Sequence, residues 1–109
     1  MKFLWILKPT RTPRFTLEEG LAMFQASRKW LDEGLKDGTH ECCYAFPDGG
    51  SVTIINVASP EAAFALRNEF PGMALFDHEI MALADVNQAQ DAVISRMKKA
   101  IERRKQAGT

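Results

Sequence analysis

Scattered polar residues on stretches that otherwise read as strands are the candidates for chemistry: Lys8, Tyr44, Asn56, His78 and Glu79. A reaction that shifts a proton on carbon needs a base poised near neutrality and a donor to hold an enolate-like intermediate. His78 or Glu79 can supply the first, and Tyr44 or Asn56 the second. Side chains alternate along a strand, so the neighbours His78 and Glu79 line one cavity only if the strand bulges between them. Asn56 interrupts an apolar run, where a buried amide without a partner costs about 1–3 kcal/mol. It must find backbone, water or a ligand. Ordinary roles compete at every position: a surface histidine on an edge strand for His78, a solvated carboxylate for Glu79, and core or interface packing for Tyr44 and Trp5. His40, just past a helix end, suits a solvated or capping role.

Other chemistries lack their residues. There is no phosphate-binding glycine loop, nucleophile elbow, HExxH or CxxC, which removes most cofactor-dependent and covalent classes, so no cofactor and no metal is expected. Cys42 and Cys43 are adjacent, point to opposite faces of an extended segment, and so neither pair with each other nor chelate together. Lysines and arginines number 14 and acidic residues 14, leaving no global field to attract nucleic acid or anionic lipid. No nucleic-acid partner and no membrane association is expected. The late cluster Arg96, Lys98, Lys99, Arg103, Arg104 and Lys105 reads as a solvated helix face with its cations at the negative end of the helix dipole. The opening MKFLWILKPT is too short for a signal sequence or a span, and a cytoplasmic location is the expectation.

The elements that must position these residues follow from pattern. A chain of 109 residues, 46% hydrophobic and 26% charged, fits one folded domain. An unbroken apolar run predicts a strand near residues 2–8, and a polar connection with Pro9, Arg11, Pro13 and Arg14 follows it. Thr16 with Glu19 forms a capping box for a helix near 16–37, whose stripe is Leu17, Leu21, Phe24, Leu31 and Leu35 and whose stop is Gly38. Strands near 41–47 and 50–58 flank Pro47-Asp48-Gly49-Gly50 as a hairpin. Ser59-Pro60-Glu61 starts a helix near 60–70, with Ala62, Ala63, Leu66 and Phe70 inward. A last strand near 74–84 is an edge, and Asn87 caps a helix near 88–105.

This order is the split βαβ pattern: an α+β, ferredoxin-like βαββαβ domain over 1–86, with a four-stranded antiparallel sheet and 87–109 as its helical extension. Two helices cover one sheet face. Residues 3–7 are apolar on both faces and 52–57 nearly so, so the other face needs cover, and a second sheet from an identical subunit is a better candidate than the narrow third helix.

The segments MKFLWILKP, YAFPDGGSVTIINVASPEAA, FPGM and EIMALAD carry a resemblance over residues 1–86 to the dimeric α+β barrel proteins, and among them to the muconolactone isomerase-like group. Ala82 stands where that group has proline, the interval from Met73 to Glu79 is longer, and the last helix has no counterpart there. The resemblance implies a homodimer or a higher oligomer that binds a small, partly apolar organic acid or lactone, and an isomerase that works without a cofactor. It favours Glu79 as catalytic; the chemistry of the residues themselves adds His78 as catalytic and Tyr44 and Asn56 as ligand-binding. A non-catalytic ligand-binding or assembly module and a cofactor-free monooxygenase-like barrel stay open on the same fold. Whether the interior is a polar cavity or a filled core discriminates among them.

Overall fold

The computed structural model describes residues 1–11 and 14–108; Pro13, part of the expected polar connection, lies outside them. The elements are β1 (Lys2–Pro9), α1 (Leu17–Asp37), β2 (His40–Ala45), β3 (Ser51–Asn56), α2 (Pro60–Glu69), a 3-10 turn (Met73–Leu75), β4 (Phe76–Leu83) and α3 (Val86–Ala107). The strands form one antiparallel sheet in the order β2-β3-β1-β4, with α1 and α2 on the same face. This is the ferredoxin-like arrangement expected from the pattern.

Local chemistry sets the boundaries. Thr16 accepts from the backbone N–H of Glu19 while the Glu19 carboxylate accepts from that of Thr16, completing the capping box. Gly38 ends α1 at φ 86°, a left-handed turn that glycine enters without strain. Ser59 caps α2 with Pro60 in its first turn. Asp85, not Asn87, caps α3 by accepting from the Gln88 N–H. The last strand starts at Phe76 because residues 73–75 are spent in the 3-10 turn, which begins at Gly72 after Pro71 breaks the helical run.

Trp5 is the hub of the core and is 1% exposed. It packs edge-on against Trp30 and Phe70 and stacks on His40 and His78, with Phe3, Leu7, Ile55 and Ala63 around it. Two expectations are corrected here. His40 is 2% exposed, a core side chain under α1, because Gly34 leaves room for its ring. The inward face of α1 runs through Met23, Ser27, Trp30 and Gly34, so Leu17, Leu21, Phe24 and Leu35 stand exposed, Leu17 at 87%. The helix is rolled by roughly a quarter turn from the leucine stripe, since the aromatic Trp30 and the close approach at Gly34 dictate which side meets the sheet.

The second face of the sheet carries Leu4 and Ile6 of β1, Val52 and Ile54 of β3, and Met81 and Leu83 of β4. α3 does not cover it. Every residue of α3 is exposed, and the molecule measures 74 × 31 × 25 Å because this helix, about 33 Å long, projects from the body. No helix among the described residues is long and apolar enough to cross a membrane.

Candidate functional site

A cleft of about 480 Å³ lies on the helix-covered side, between α2 and the edge strand β4. Its walls follow from two periodicities. Pro60, Ala63, Phe64 and Arg67 stand at helical spacings of three, one and three, on one face of α2, while His78, Ile80 and Ala82 alternate along β4, with Phe3 of β1 as floor. Apart from Arg67 and His78 the lining is apolar, as befits a site for a small molecule with one or two polar groups.

The His78 ring is fixed from both sides. The Trp5 indole Nε1–H donates to His78 Nδ1 at 3.0 Å, and His78 Nε2 lies 2.8 Å from the Met73 carbonyl oxygen. A carbonyl only accepts, so Nε2 carries the proton and the ring is the neutral tautomer with Nδ1 as acceptor. To move a proton for a ligand, His78 must exchange one of these bonds for a bond to that ligand.

Arg67 was not among the residues singled out from sequence, although its place one turn after Ala63, on the inward face of α2, marks it. Its Nε is buried without a hydrogen-bond partner, and the guanidinium carbon sits 5.8 Å from the centroid of the Phe64 ring. No ion pair to Arg67 is found among the described residues.

The other expected site residues lie on the far side of the sheet. Register sets Tyr44 opposite Val52, Val52 opposite Ile6 and Ile6 opposite Glu79, so Tyr44 and Glu79 end one row that crosses all four strands. With strands about 4.8 Å apart they are separated by roughly 14 Å. Asn56 lies in another row, opposite Lys2, which is opposite Leu83. β4 pairs with β1 without a register shift, so His78 and Glu79 face opposite sides. Tyr44, Asn56 and Glu79 thus share the open face without converging within one chain, and none of them lines the cleft that holds His78. Asn56 is exposed at the end of β3, so its amide is solvated, and Tyr44 is 70% exposed. Beside Asn56, Lys2 Nζ and Glu41 Oε1 form an exposed ion pair at 2.6 Å, and the carboxylate holds the Lys2 ammonium above its ordinary pKa.

His40 Nδ1 is also buried without a partner, and burial pushes the pKa of that imidazole down, opposed by the Asp37 carboxylate. It belongs to the core and lies outside the cleft lining. Cys42 and Cys43 are free thiols on opposite faces, and Cys43 Sγ accepts from the Thr53 hydroxyl at 3.0 Å.

No family model and no curated protein sequence matches the chain. Its structure is similar to that of the 5-chloro-2-hydroxyhydroquinone dehydrochlorinase of Burkholderia phenoliruptrix, solved in complex with 2,5-dihydroxybenzoquinone. The TM-score is 0.60 at 18% sequence identity, over 81% of this chain and 98% of that one. At that identity the likeness is one of fold: the chain shares the α+β architecture of a protein solved with a small cyclic ligand.

Proposed function

We propose that the chain is a small-molecule-binding dimeric α+β barrel protein, allied to the muconolactone isomerase-like group. Its ligand is a small, partly apolar organic acid or lactone held in the cleft between α2 and β4. The observation that carries this reading is the cleft itself, with apolar walls from Phe3, Ala63, Ile80 and Ala82 and two polar groups, Arg67 and His78, of fitting chemistry. The fold likeness to a protein solved with a small quinone supports it. In the enzymatic form of the reading, His78 takes the proton of a cofactor-independent isomerisation on Nδ1, after that nitrogen gives up the Trp5 indole N–H, and returns it at the new position on the ligand, while Nε2–H stays on the Met73 carbonyl. The protein then works in the cytoplasm.

The face that carries Tyr44, Asn56 and Glu79 becomes enclosed only when a second subunit closes over it, and a ligand site built from those three requires both chains. The face-sharing of the three residues supports this second reading.

Titration of the isotopically labelled full chain with a panel of small aromatic acids and five-membered lactones tests both. The cleft reading expects amide shift changes at Ala63, Phe64, Arg67, His78, Ile80 and Ala82. Changes confined to Tyr44, Asn56 and Glu79 favour the intersubunit site, and none anywhere overturns small-molecule binding for this panel. For a ligand that binds, deuterium uptake from D₂O at the carbon next to its carbonyl marks the isomerase, and binding without uptake marks a non-catalytic module.

A further inference from the structure

We infer that Arg67 is the anion anchor of the cleft, so that its ligand carries a carboxylate and a neutral lactone or amide of the same shape is rejected. This rests on the proposed reading of the cleft and narrows its ligand class. A guanidinium stays charged at any pH the fold survives and offers five N–H donors. Arg67 lines the cleft with Nε shut off from water, so its terminal nitrogens, which no hydrogen bond or ion pair among the described residues engages, are the donors it offers a carboxylate there.

Three further features fit the same role. The guanidinium carbon lies 5.8 Å from the centroid of the Phe64 ring, within reach of a cation–π contact that favours a cation at this wall of the cleft. The cleft lining contains no carboxylate, so nothing within it competes for the cation. The rest of the wall is hydrocarbon, and His78 stands on the strand opposite α2. A ligand with its carboxylate on Arg67 and its ring against Ala63, Ile80 and Ala82 would present its far end to β4.

Benzoate and benzamide, nearly equal in shape and different in charge, are the probes. In the unaltered protein, benzoate is expected to bind the cleft about tenfold or more tightly than benzamide, as followed by amide shifts of Ala63, Ile80 and Ala82. Arg67→Gln should bring benzoate down to the affinity of benzamide and leave benzamide unchanged, while Arg67→Lys should keep part of the preference. The comparison of the two probes in the unaltered chain decides even if Arg67→Gln lowers stability. Equal binding of both probes in the cleft overturns the anchor and leaves the small-molecule reading standing. If neither probe shifts the cleft residues, both fall.

Discussion

The His40 ring occupies the space that a β-carbon on Gly34 would need: its Cδ2 lies 2.0 Å from where that atom would stand. The contact ties α1 to the start of β2 across the two-residue turn of Gly38 and Thr39, and it sets the roll of α1 that exposes Leu17, Leu21 and Phe24. Glycine is kept here for closeness of approach, since its helical backbone suits any residue.

Gly34→Ala should therefore destabilise the fold by about 1–3 kcal/mol through overpacking, despite the better helix propensity of alanine. In a His40→Ala background the same change should be neutral or stabilising by up to about 1 kcal/mol. Urea unfolding of the four proteins gives the coupling. An equal cost of Gly34→Ala in both backgrounds would show that the two side chains do not compete for one space.

His40 also sets a pH dependence. Burial lowers its folded pKa below the ordinary 6.5, with Asp37 opposing from the neighbouring turn. In the window below 6.5 the unfolded chain binds a proton that the folded chain refuses, so stability is intact above 6.5 and declines as pH falls toward the folded pKa. The slope from one such group cannot exceed about 1.4 kcal/mol per pH unit. Urea midpoints of the native chain and His40→Phe, compared from pH 7.5 to 5, should converge in slope only above about 6.5. Parallel profiles across the whole range would remove His40 as the cause.

The bond between Trp5 and His78 joins the core to the cleft. His78→Phe keeps the ring and removes the acceptor, leaving a buried indole N–H unpaired at a cost of about 1–3 kcal/mol. The indole proton of Trp5 should exchange slowly with solvent in the native chain and shift upfield and exchange faster in the variant. An unchanged indole resonance would mean that the bond is not made in solution.

Most of the fold was legible because its signals are local. Thr16 with Glu19, Ser59 with Pro60, and the glycines at 38, 49 and 50 mark ends and turns by their own chemistry, and the structure uses them as read. The roll of α1 was not legible, since it depends on a contact between Gly34 and a residue six positions away in another element. The strand period already implied that His78 and Glu79 face opposite sides. Which of them meets the helices required the register Leu7 opposite His78 and Ile6 opposite Glu79, fixed only by pairing with β1. Arg67 was passed over because a charged residue on a surface helix reads as solvated until the wall it faces is known.

The last expectation concerns the open face. Leu4 has Ile54 on one side and Met81 on the other, Ile6 lies between Val52 and Glu79, and α3 stands away from the body and leaves them uncovered. An apolar sheet face with none of the described residues of its own chain lying over it is a surface for association, and a two-fold arrangement lets one face serve both partners. The full chain should sediment as a dimer at micromolar concentration. Ile54→Lys should raise the dissociation constant by about a hundredfold, because two-fold symmetry buries two unpaired charges at once. The basic stripe-bearing α3 and the exposed row on α1 are the rival surfaces, so Val93→Glu and Leu21→Glu are the matched controls and should leave the dimer intact. A dimer that survives Ile54→Lys and is lost with Val93→Glu would move the interface to α3. A monomer in the unaltered chain would leave the open face solvated, and Tyr44, Asn56 and Glu79 would then have no enclosed site to line.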